Sequence, residues 1–111
     1  MIMVSVVKTK NMDIIIQAEG FKASEHLEDL LREKLDKVAH HAPKVIRAHV
    51  ILLKGPATEL KNNYCEIRLE VPGNDHFVKK HSSSFEHAIV ECTEALQHMV
   101  ERSKEKELSH R

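Results

Sequence analysis

Residues 82–106 read SSSFEHAIVECTEALQHMVERSKEK, a stretch without glycine or proline that keeps one period throughout. Phe85, Ile89, Cys92, Leu96, Met99 and Ser103 recur at three- and four-residue steps, which puts them on one side of a helix. His87, Glu91, Glu94, His98, Glu101 and Glu105 fall on the other side. Ser83 or Ser84 is placed to cap the N-terminus. Glu86 in the first turn and Arg102, Lys104 and Lys106 near the end suit the helix dipole. Propensity alone does not hold such a helix in water, so its apolar stripe requires a partner surface.

The residues before it supply that surface. Met12 to Ala18 reads as a strand, with Ile14 and Ile16 on one face and Gly20 ending the run. Ser24 is a candidate cap for EHLEDLLREKLDKVAHHA, in which Leu27, Leu30, Leu31, Leu35 and Val38 form a second apolar stripe and Pro43 marks the stop. Lys34 falls at the border of that stripe, where its stem packs and its ammonium reaches out. Val45 to Lys54 reads as a second strand, Tyr64 to Val71 as a strand of strict period two, and His76 to Ser82 as a fourth. Pro72-Gly73-Asn74-Asp75 is a tight turn. The connection GPATELKNN is long and polar for a hairpin.

The predicted order is therefore β-α-β-β-β-α, an α+β domain. Its four-stranded sheet buries one face against two helices packed on it and wets the other. The last three strands form an antiparallel meander. On this reading residues 12–107 are the folded unit and 108–111 a frayed tail. Residues 1–11 lie outside it, either as an N-terminal extension or as the product of a start codon upstream of Met12.

Composition narrows the function. The 111 residues carry 41% hydrophobic and 31% charged side chains, as expected of one soluble domain. No apolar run reaches membrane-spanning length, and the N-terminus lacks the basic segment and cleavage site of a signal peptide, so the expected location is cytoplasmic. Cys65 and Cys92 both fall in apolar phase, which predicts buried free thiols. Lysine plus arginine balance aspartate plus glutamate at 17 each. That argues against a generic nucleic-acid binder, although clustering matters more than the sum.

Enzyme and metal signatures are absent: no phosphate loop, no nucleophile elbow, no paired zinc-ligand motif. The i,i+4 pairs His87/Glu91 and Glu94/His98 are a spacing that can hold a metal. A solvated face with weak intrahelical pairs accounts for them with less. Ser82, Ser83 and Ser84 near His81 or His87 could be a nucleophile and base, but a cap cluster explains the same serines. No cofactor and no small-molecule substrate are expected. Basic residues remain: Arg32, Lys34, Lys37, Lys44 and Arg47 around the end of the first helix, Lys79 and Lys80 before the last helix, and Arg102, Lys104 and Lys106 at its end. Spaced cations on packed helices can track the phosphates of a folded RNA.

The opening MDIIIQAEGFKAS, the run LREKLDKV, the turn VPG and the segment SFEHAI resemble, in order and spacing, the ribosome hibernation promoting factor family. That family includes the ribosome-associated inhibitor and is also described as sigma-modulation protein. The resemblance covers Met12 to about Lys106 and points to the short class. It implies a non-enzymatic factor that binds ribosomal RNA of the small ribosomal subunit, in the messenger and transfer RNA channel. Such a factor inhibits translation under stress or in stationary phase, and another hibernation factor is a further partner the resemblance allows. By position, Lys34 and Lys37 match the basic pair of the family's first helix, and Arg102, Lys104 and Lys106 its basic helix end. Lys79 and Lys80 join this RNA-binding set by proximity alone. His98 stands where an arginine is common and Ala95 where a lysine is common. The alternative, from a different class, is a protein-interaction or homodimeric regulatory module that uses the exposed sheet face or the acidic helix face.

Overall fold

Seven elements follow one another: β1 (Ile2–Lys8), β2 (Asp13–Glu19), α1 (Glu25–His41), β3 (Arg47–Lys54), β4 (Asn63–Glu70), β5 (His76–Ser82) and α2 (Phe85–Ser109). This computed structural model describes residues 1–42 and 44–109, with side chains through Ser103. Pro43, the expected helix stop, lies outside the described residues.

The strands form one mixed sheet in the order β1-β2-β3-β4-β5. β2 and β3 run parallel, Ile14 opposite Ala48 and Ile16 opposite Val50, so α1 serves as the crossover that a parallel pair requires. β3, β4 and β5 form the expected antiparallel meander. The sheet has five strands rather than four. The residues read as an N-terminal extension fold back through a Lys10–Asn11 turn, and β1 pairs antiparallel with β2. Thr9 fastens that turn: its Oγ1 accepts from the Asn11 and Met12 amides at 3.1 Å each.

Alternation along each strand divides the sheet. Ile14, Ile16, Val50, Leu52, Ile67 and Leu69 are fully buried under the helices with Leu31 and Leu35 of α1 and Ile89 and Leu96 of α2. Each such side chain contributes about 1.5–3 kcal/mol. In α2 the buried side also includes Ala88, Thr93 and Val100, while Ser103 is exposed, so the stripe is rotated slightly from the expected one near its end. Both caps are side-chain hydroxyls. Ser24 Oγ accepts from the Leu27 amide at 3.2 Å, and Ser84 Oγ accepts from the His87 amide at 3.1 Å. α2 continues through Ser109, past the point where a frayed tail was expected.

Two contacts fix how the helices lie. Phe21, just before α1, stacks on Phe85 at the start of α2 with ring centroids 4.7 Å apart. His41, at the end of α1, reaches Glu101 of α2 at 4.0 Å. From Phe21/Phe85 to His41/Glu101 the helices therefore run parallel and in register over about 25 Å. The C-terminal end of α1 thus lies beside Glu101 of α2, next to the start of β3 and the β4–β5 turn, and α2 continues beyond it.

Candidate nucleic-acid interface

Helical spacing places Lys34, Lys37 and His41 at i, i+3 and i+7, along one flank of α1. Lys34 is half-buried and Lys37 is exposed. His41 meets Glu101, so this flank borders the end of α2, where Arg102 is exposed. Lys44 is exposed just beyond α1. Parallel packing thus gathers cations from two helices at one end of the molecule. Lys34, Lys37, Lys44 and Arg102 pair with no carboxylate among the described residues. Arg102 also borders an open cleft of about 510 Å³, formed with Met99 of α2 and with Pro72, Gly73, Asn74 and His76 of the β4–β5 turn. Gly73 makes that turn at a φ of +100°, a conformation side chains disfavour. The backbone of Lys104 and Lys106 continues α2 from this end, and their side chains lie outside the described residues.

Three arginines are committed elsewhere. Arg32 is held by Asp29 at 2.7 Å. Arg47 and Arg68 lie on the open sheet face, where both approach Glu70, at 3.7 and 3.6 Å. Glu70 also meets His49 Nε2 at 3.1 Å, and Arg68 meets Asp75 at 2.9 Å. Cross-strand register brings these charges together, Arg47 opposite Glu70 and His49 opposite Arg68.

Lys79 and Lys80 do not form a pair. Adjacent strand residues point to opposite faces. Lys79 lies on the open face, 3.4 Å from Glu66 and over the Tyr64 ring at 5.6 Å. Lys80 lies on the helix-bearing side, exposed, four strand positions from His76 and so roughly 13 Å along β5 from the Arg102 cleft.

A family model for the sigma 54 modulation protein / S30EA ribosomal protein matches residues 14–107. The chain belongs to that family. The family resemblance read from the sequence therefore holds. β1 lies outside the matched residues. Among solved structures, the chain is similar to the Thermus thermophilus Protein Y N-terminal domain. Identity is 21% over 80% of this chain and 92% of that one, with a TM-score of 0.66. It is also similar to a ribosomal subunit interface protein from Coxiella burnetii, at 16% identity over 84% of this chain and 96% of that one, with a TM-score of 0.70. At these identities the likeness is one of fold. No curated protein sequence matches.

The remaining chemistry is structural. Ser82 Oγ lies 2.7 Å from His87 Nδ1, and Glu91 approaches the same nitrogen at 3.6 Å. A hydrolytic triad uses the two ring nitrogens for the two partners. Here both contacts fall on Nδ1 and Ser82 is buried, so no relay is assembled. Among the described residues, no group of three or more histidine, cysteine or acidic side chains is arranged to hold a metal. Likewise no helix is long and apolar enough to cross a membrane. Cys65 and Cys92 are buried free thiols, and the Cys92 Sγ faces the Cys65 carbonyl oxygen at 3.6 Å. A hydrogen bond with Cys92, and burial, push the Cys65 thiol well above its ordinary range. In the β3–β4 region the Tyr64 hydroxyl donates to Glu59 at 2.9 Å, and that bond raises its pKa.

Proposed function

We propose that this protein is a cytoplasmic ribosome-binding factor without enzymatic activity. It occupies the messenger and transfer RNA channel of the small ribosomal subunit and so inhibits translation under stress or in stationary phase. Family membership supports a ribosomal partner, and the likeness to a ribosomal subunit interface protein from Coxiella burnetii points the same way. The observation that carries the reading is the parallel packing of α1 and α2, which sets Lys37, Lys44 and Arg102 near one end, with Lys34 about two turns back along α1, all without carboxylate partners among the described residues. Lys104 and Lys106 extend this basic end in sequence, and Lys80 offers a separate contact farther along β5. Lys79, neutralised by Glu66, contributes least to the set.

The mechanism is occlusion. Lysine and arginine heads sit on ribosomal RNA phosphates and fix the domain's position. The packed body then excludes other RNA from the channel. With four phosphate contacts, affinity falls about 50- to 150-fold when salt rises fourfold. The direct test is competition on isolated small subunits. Saturating protein should displace labelled transfer RNA, and excess transfer RNA should displace the protein. Simultaneous binding of both to saturation would contradict occlusion.

A further inference from the structure

β1 is an edge strand that nothing in the described chain covers on its outer side. Its composition is unusual for such a position. Natural edges are blunted by charges, proline or bulges. The opposite edge follows that rule, since β5 carries Lys79 and Lys80. β1 reads IMVSVVK, pairs with β2 in unbroken register and carries one charge, at its end. Ile2, Val4 and Val6 are 55%, 62% and 56% exposed, and they adjoin Ile15 and Ile51 on the open face.

The backbone pattern identifies which groups are free. The Gly20 amide donates to the Met1 carbonyl at 3.1 Å, and the Thr9 amide to the Met12 carbonyl at 3.0 Å. In an antiparallel ladder, hydrogen-bonded pairs alternate with non-bonded ones. The odd residues of β1 therefore face β2, and the N–H and C=O groups of Ile2, Val4, Val6 and Lys8 point away from the sheet.

We propose that β1 is the interface between two copies of this chain, joined antiparallel about a two-fold axis at Ser5. This register sets Ile2 opposite the partner copy's lysine at position 8, and Val4 opposite its valine at position 6. It satisfies both outward backbone groups of all four residues, and it merges the two sheets into one. The charges are self-complementary in the same register. Lys8 of one copy lands beside Ile2 of the other, whose neighbour across β1–β2 is Glu19. Two strand spacings, about 9.6 Å between backbones, separate them, within reach of the two side chains. Neither Lys8 nor Glu19 has an ion-pair partner among the described residues. Gln17 donates to Glu19 Oε1 at 3.2 Å, and Oε2 has no hydrogen-bond partner among the described residues. An edge contact of this size belongs to the small class of interfaces, so the dimer is concentration-dependent.

The test is sedimentation equilibrium of the full chain from micromolar to millimolar concentration, at low salt. The mass should rise from 12.7 kDa toward twice that value. The double variant Val4→Pro/Val6→Pro removes two outward amides that β2 does not use, so it should stay monomeric and keep its circular dichroism spectrum. Lys8→Glu should weaken the dimer several-fold, and Lys8→Glu with Glu19→Lys should restore it, independently of whether the proline variant folds. A wild-type chain that is monomeric at millimolar concentration would overturn the proposal and leave the edge to a different protein. A dimer unaffected by Lys8→Glu, or one that survives both prolines, would overturn it as well.

Discussion

Replacing Lys37 by Ala isolates the electrostatic part of the proposed ribosome contact, because Lys37 has no packing to lose. Its side chain is exposed and pairs with no carboxylate among the described residues. If it neutralises one phosphate, its removal flattens the dependence of log affinity on log salt by about 0.7–0.9. The gap between wild type and variant should then close about threefold when salt is raised fourfold. Lys79→Ala is the matched comparison. Lys79 is also exposed, but Glu66 holds it at 3.4 Å on the open sheet face, and its removal should leave the slope unchanged. Both variants should melt within a degree or two of wild type, since exposed ion pairs contribute little. The assay is a fluorescence titration of labelled protein with purified small subunits over a salt series. A slope flattened by Lys79→Ala and untouched by Lys37→Ala would refute the placement of the site at the helix ends.

Leu35→Ala removes a fully buried side chain that binds α1 to the sheet. It should cost about 3 kcal/mol in denaturant unfolding, and a loss below about 1 kcal/mol would mean the core is not packed as described. Neither thiol should react with an alkylating reagent in the native protein at neutral pH, whereas both should react once it is unfolded. Because the folded pKa of Cys65 is raised, its contribution to stability is fully present below the ordinary value of 9.0 and is lost as pH rises above it. A melting temperature that rises through that alkaline range would contradict the assignment. His98 is exposed one turn before Arg102, so His98→Arg should tighten small-subunit binding at low salt and steepen the salt slope by about one contact. An unchanged slope would place His98 outside the contact.

Much of this architecture was legible because its residues obey one period at a time. Leu27, Leu31, Leu35 and Val38 in α1, and Cys65, Ile67 and Leu69 in β4, face one core, so their spacing reads directly as helix or strand. β1 was not legible for the opposite reason. Its outward Ile2, Val4 and Val6 are as apolar as its inward Val7, so no alternation appears. Its β-branched content before the Thr9–Asn11 turn was the available signal. The basic helix ends could be named from sequence, but their meeting could not. It depends on the Phe21–Phe85 stack and the parallel crossover, which join residues distant in the chain. The separation of Lys79 from Lys80 follows from strand alternation and was legible in principle. The commitment of Arg47 and Arg68 to Glu70 was not, because it requires the register of β3 on β4.

Co-sedimentation of the purified protein with isolated small and large ribosomal subunits, at low and at high salt, decides whether cations at the helix ends hold it on the small subunit. Binding to the small subunit should saturate at low salt and be lost at high salt. Absence of binding at low salt by a folded protein, or binding that high salt leaves intact, would contradict that expectation.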